Sequence, residues 1–275
     1  MDFNKLFESF SLDNKSEEEV DIYMSRKEAF KKLGSLTKKV AVASLPVAAF
    51  TMMPKMAFAR AHDVIAVLKF ALALERLEYQ FYQMAVDAGV VKNKHENVFM
   101  AIRDHERIHV ELLEATIQSL GGDLTGVPSM FDYTAGGVFP SPFSNYQLFL
   151  ALAQAFEDTG VRAYKGQAPN LMENDALLKV ALQIHAVEAR HASQVRRIRG
   201  RKGWITEEDY DGIDGFGGTF MAASSAVYAG EKNTTHVGVE VTQVTTVPVM
   251  AVREAWDEPL SMEMVLDIVK PFIVS

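Results

Sequence analysis

Four glutamates, two histidines and two tyrosines recur at one fixed offset, and that offset limits what the chain can fold into. Glu75 and Tyr82 are matched by Glu157 and Tyr164, and the pair Glu106/His109 is matched by Glu188/His191, each 82 positions on. A repeat that carries two separated patterns at one shift is the mark of a duplicated structural unit. The spacing inside each unit also has a physical meaning. An E-x-x-H puts its two side chains on the same face of a helix, about 5–6 Å apart.

The repeat lies within four long helical patterns. The first runs from about Asp63 to Gly89 with Leu68, Leu72, Tyr79 and Tyr82 on its apolar stripe, and the second from about Lys94 to Leu120 before Gly121-Gly122. The third begins after Ser144 and stops before Pro169, and the fourth follows Asn174 and ends at Gly200. The polar residues Asp63 and Asn174 and the glycines suit helix starts and stops. Helices of this length reach about 35–40 Å at 1.5 Å per residue. Short joints inside each pair predict two antiparallel hairpins. The stretch from Gly121 to Ser144, rich in Gly, Pro and Ser, is long enough to run the length of a bundle. The expected fold is therefore all-α: a four-helix bundle of two antiparallel hairpins joined by a long crossover.

Glu106 and His109 interrupt the apolar stripe Val98, Ile102, Leu113, Ile117, and Glu188 and His191 interrupt Leu177, Ala181, Ile184, Val195, Ile198. Glu75 and Glu157 fall on the inward stripes of the other two helices. Four carboxylates facing one core are costly unless cations neutralise them, because a buried unpaired charge costs several kcal/mol. One Glu from each of two helices plus a Glu-x-x-His from each of the other two is the donor set of dinuclear carboxylate bundles. The expected metal ligands are Glu75, Glu106, His109, Glu157, Glu188 and His191, and the expected cofactors are two Fe or two Mn ions. Oxygen and imidazole donors suit those metals. The chain has no Cys, so thiolate sites, disulfides and Cys nucleophiles are excluded.

Several neighbours have more than one reading. Tyr82 and Tyr164 are either donors to carboxylates on adjacent helices or amphipathic core residues. Glu78, three residues after Glu75, could replace or supplement it as a ligand. His105 and His185 sit off the main stripe, either solvated or behind the ligands. Arg196, Arg197, Arg199, Arg201 and Lys202 gather at the end of the fourth helix, where positive charge complements the helix dipole. The methionines are scattered and fill core space.

Charge is unevenly distributed. The chain carries a net charge of −8, which argues against nucleic acid as a partner. Residues 1–21 hold seven acids and two lysines, whereas residues 26–59 hold seven Lys or Arg against the single acid Glu28. Within that basic stretch lies a largely apolar segment of 14 residues, Val40 to Met53, and then Ala57-Phe58-Ala59. A basic region, a short apolar region and small residues at −3 and −1 predict an export signal cleaved after Ala59. Fourteen residues fall short of the roughly 20 that span a bilayer. Ser25 to Lys32 resembles a twin-arginine signal, with Lys27 in place of the second Arg and Phe30 one place late. The alternative is an amphipathic N-terminal helix packed on the body.

The chain resembles exported bacterial ferritin-like proteins, the group that includes desiccation-associated proteins. The resemblance rests on Leu74-Glu75-Arg76-Leu77-Glu78, the two E-x-x-H motifs and Glu188-Ala189-Arg190-His191. It extends to Trp256-Asp257-Glu258-Pro259-Leu260 and Lys270-Pro271-Phe272-Ile273. It implies a ferritin-like bundle with its ligands at the six residues already named, while residues linked to cage-forming iron storage have no evident counterpart. The expected division is 1–59 as leader and export signal, 60–200 as the bundle, and 201–275 as a mostly irregular C-terminal extension. Within the extension, Val237 to Val241 hints at a strand and Ser261 to Val269 at a last short helix. The expected function is redox chemistry with dioxygen or peroxide (ferroxidase, peroxidase or catalase-like) in oxidative or desiccation stress, in the periplasm or cell envelope. The alternative is a non-catalytic metal-binding or structural stress protein. A second copy of the chain is a candidate partner, and no stable membrane span is expected after cleavage.

Overall fold

A computed structural model of the chain describes residues 61–91, 94–213 and 218–274. The leader and its export signal lie outside the described residues. Four long helices carry the architecture: α1 (Ala61–Ala88), α2 (Glu96–Ser119), α3 (Tyr146–Gln167) and α4 (Asp175–Ile198). Helix α1 starts two residues before the expected cap at Asp63, a shift within the ordinary play of helix ends.

Local chemistry sets the other ends. The Asn145 side chain accepts from the N–H groups of Gln147 and Leu148, and Asn174 accepts from Leu177, which caps α3 and α4. Helix α2 closes with Gly121 N–H on the Gln118 carbonyl and Gly122 N–H on that of Ile117. The reversal needs the positive φ of Gly121, which only glycine adopts without strain.

The four helices form two hairpins, α1 with α2 and α3 with α4. The crossover runs back along α1 in sequence order. Lys69 donates to the Thr125 carbonyl at 3.1 Å, Arg76 to that of Val127 at 3.3 Å and Gln80 to that of Ser129 at 2.8 Å. The Tyr133 hydroxyl then donates to the Leu77 carbonyl at 2.7 Å. Crossing the full length brings α3 in antiparallel to α1, which allows Glu75 to meet Tyr164 and Tyr82 to meet Glu157.

Helix α3 is buried on nearly every face from Leu148 to Tyr164. A helix buried all round needs cover on both sides, and the C-terminal segment supplies the second. It contains α5 (Gly218–Ser224), a two-residue hairpin of β1 (Thr235–His236) and β2 (Val239–Glu240), α6 (Val249–Arg253) and α7 (Met262–Val269). Its backbone is fastened to α3 by Arg162, whose guanidinium donates to the carbonyls of Val227, Ala229 and Glu258. Leu260 N–H returns a bond to the Arg162 carbonyl at 3.1 Å. Ser261 caps α7 through the Met264 N–H. Among the described residues, no helix is long and apolar enough to cross a membrane.

The apolar core divides into two clusters. One contains Leu77, Phe81, Phe99, Phe149 and Val195, and the other contains Leu72, Leu113, Ile117 and Ile184. The polar site lies between them.

Candidate metal centre

Each of the four long helices contributes one carboxylate to the space between the two core clusters. Glu75 comes from α1, Glu106 from α2, Glu157 from α3 and Glu188 from α4, and all four are fully buried. His109 and His191, one turn further along α2 and α4, are buried beside them. The structure thus brings together all six residues singled out from the sequence.

The arrangement keeps the symmetry of the repeat. His109 Nδ1 lies 3.0 Å from Glu75 Oε2, 3.0 Å from Glu106 Oε2 and 3.4 Å from Glu188 Oε1. In the other half, His191 Nδ1 lies 2.8 Å from Glu106 Oε1 and 3.4 Å from Glu157 Oε2. The donors form two overlapping groups, Glu75/Glu106/His109/Glu188 and Glu106/Glu157/Glu188/His191, each with its donor atoms within 4.8 Å of one another. Glu106 and Glu188 belong to both.

The tyrosines exchange partners across the bundle. Tyr82 on α1 donates to Glu157 Oε1 on α3 at 2.5 Å, and Tyr164 on α3 donates to Glu75 Oε1 on α1. Each phenol occupies one oxygen of an outer carboxylate. Burial, with the neighbouring carboxylates, raises both phenol pKa values, which keeps them as O–H donors.

Whether these residues suit a cation can be tested on atoms left without partners. Among the described residues, Glu106 Oε1, Glu157 Oε2, both oxygens of Glu188 and His191 Nδ1 are buried with no hydrogen-bond partner. Buried polar atoms are rarely left so, and here they converge. His191 Nδ1 and Glu106 Oε1 lie at ion-pair distance, 2.8 Å, without the alignment of a hydrogen bond. Converging lone pairs of hard oxygen and imidazole donors fit divalent iron or manganese.

Proton affinities follow the same geometry. Burial, against the pull of His109, pushes the Glu75 carboxyl up to about 7. Burial raises Glu157 and Glu188 as well. Glu106 is the exception: burial opposes its ionisation, but His109 and His191 outweigh it and hold it at about 2. Burial would lower both imidazoles, yet the surrounding carboxylates raise His109 and push His191 up to about 11. Without an ion, protons neutralise the cluster.

The neighbouring residues take different positions around the cluster. His105, exposed on α2, places its Nδ1 2.9 Å from His191 Nε2 with the two rings stacked, so it stands directly behind one of the candidate donors. His185 is half-buried and bonds the Val161 carbonyl, tying α4 to α3 away from the cluster. Arg196, one of the basic residues at the end of α4, does more than complement the helix dipole. It is buried, paired with Asp158 and, at 2.8 Å, with Asp209. The Tyr228 hydroxyl bonds the same Asp158. Helix-end charge alone did not signal this, because Asp209 and Tyr228 arrive from the C-terminal segment. Glu78 lies outside both donor groups but is buried next to them.

No curated protein matches the chain. The model of the ferritin-like domain family matches residues 63–201, which spans all four helices and every donor named above. With that match over half its length, the chain belongs to the ferritin-like domain family.

Proposed function

We propose that the chain is a dinuclear iron or manganese carboxylate protein that acts on dioxygen or peroxide, exported to the cell envelope and serving in oxidative or desiccation stress. The observation that carries the reading is the pair of overlapping donor groups sharing Glu106 and Glu188. Glu75 and His109 would hold one ion, Glu157 and His191 the other, and the two shared carboxylates both. When bound, the ions supply electrons to a bound oxidant, a task suited to paired metals.

The chain's own residues do the rest. Tyr82 and Tyr164 fix the outer carboxylates, so that one oxygen of each stays turned to the centre. With an ion held at its Nδ1, a neutral His191 would carry its proton on Nε2, 2.9 Å from His105 Nδ1, a contact that would hold the ring in place. The apolar layers on either side exclude bulk water and strengthen every electrostatic interaction within.

The test is the metal content of the full chain beside a His109→Ala/His191→Ala double variant. About two iron or manganese ions per chain, lost in the variant, is the expected result. A folded chain that stays metal-free after incubation with both ions would sink the dinuclear reading. Consumption of peroxide or dioxygen by the loaded chain, abolished in Glu106→Ala, separates catalysis from storage of metal or a structural role.

A further inference from the structure

Two of the four long helices have their outer sides covered, α1 by the crossover and α3 by the C-terminal segment. The outer sides of α2 and α4 are open among the described residues, and the duplication makes their positions directly comparable. On α2, Ala101, His105, Ile108, Leu112 and Ala115 are all exposed, Ile108 at 52% and Leu112 at 41%. Their spacing of four, three, four and three residues is that of the seam by which one helix packs along another. The same positions on α4, 82 residues on, are Gln183, Val187, Arg190, Gln194 and Arg197. One copy of the unit has the polar outer face of a solvated helix, and the other carries a seam. Of the large apolar side chains of α4, only Leu182 is exposed.

Charge decides what can lie on the seam. Beside it, Arg107 and Glu111 are exposed and ion-paired at 2.8 Å, the base nearer the start of α2 and the acid nearer its end. A second α2 laid antiparallel across a two-fold axis sets Arg107 of each copy alongside Glu111 of the other, so the edge is complementary to itself. Asp104 in the same row is neutralised by Arg103 at 2.7 Å. Two α4 faces would instead bring together the exposed Lys179, Arg190 and Arg197 of each copy, and like charges set against each other oppose association.

We propose that the chain forms a two-fold dimer through α2, with Ile108 and Leu112 of the two copies interleaved at its centre. The seam includes His105, whose ring stacks on His191. Association therefore takes this exposed ring, and the side of the buried cluster behind it, out of contact with water. The interface stands whether or not the cluster holds metal.

The test is analytical ultracentrifugation of the full chain over a range of concentrations. Wild type is expected to sediment as a dimer that dissociates on dilution. Ile108→Asp and Leu112→Asp should each weaken association by at least about thirtyfold, with helix content unchanged because both side chains lie at the surface. Leu182→Asp, a comparable change on α4, should leave association as in wild type. Arg107→Glu should weaken the dimer about tenfold, and adding Glu111→Arg should restore it. A dimer indifferent to Ile108→Asp and Leu112→Asp, or a charge reversal that restores nothing, overturns the α2 seam. A wild-type chain that stays monomeric overturns it as well. Cosedimentation of that monomer with phosphatidylglycerol vesicles, lost in Leu112→Asp, would assign the seam to a membrane surface instead.

Discussion

Arg196 shows how much a single buried charge can organise. At 1% exposure, its guanidinium neutralises Asp158 and Asp209, one from α3 and one from the C-terminal segment. Removing one partner of such a group leaves the others buried and unpaired, which costs about 3–5 kcal/mol. Arg196→Met is therefore expected to lower the urea midpoint strongly. Arg190→Ala, exposed on the same helix, should stay within about 0.5 kcal/mol of wild type. Equal midpoints for the two variants would refute the role given to Arg196. The tyrosines illustrate the same scale from the functional side. Each hydroxyl ends on an outer carboxylate, so Tyr82 and Tyr164 are fixed by their partners as well as by packing.

At the scale of elements, α3 is the helix on which the rest depends. It gives Glu157 and Tyr164 to the centre on one face and takes the C-terminal segment on the other. The close approach at Gly166 makes the second contact possible, since a Cβ there would lie 1.9 Å from the Leu260 carbonyl oxygen. Gly166→Ala must push the segment away or bend α3. The expected result is faster proteolytic cleavage within residues 201–260, with the helix content of the bundle largely retained. Cleavage at the wild-type rate would show that the segment does not depend on this approach. The crossover has the equivalent part for α1, laid along it by Lys69, Arg76 and Gln80.

For the whole molecule, the buried carboxylates link folding to pH and, on the dinuclear proposal, to metal. Glu75 titrates near 7 in the folded chain against 4.5 outside it. A carboxyl raised in this way contributes stability below about pH 4.5 that is lost as pH rises through about 7, because the folded state must ionise it in a buried place. Metal binding uses the ionised form, so over the same window protons compete less and the ion stabilises more. The difference in melting temperature between the loaded and metal-free chain should widen from about pH 4.5 to about 7. In Glu75→Gln, that widening should shrink. A difference independent of pH in the wild-type chain would contradict this linkage.

What the sequence by itself determined is the periodic part. Regular stripes, glycine stops and the 82-residue repeat specified four helices, their pairing into hairpins and six side chains on inward faces, because helical spacing turns sequence distance directly into direction in space. What only the tertiary structure decided is everything that depends on which segments meet. The irregular residues after 200 carry no period, so their seat on α3, and the burial of Arg196 that follows from it, were not readable. The hydrogen bond of His105 to His191 joins α2 to α4 at a distance of 86 residues. Nor could the sequence show that a Cβ at Gly160 would meet Glu188 of α4 and Glu78 of α1, at 3.1 and 3.2 Å. The glycine itself is visible in the sequence, but the carboxylates around it come from two other helices and are set only by folding.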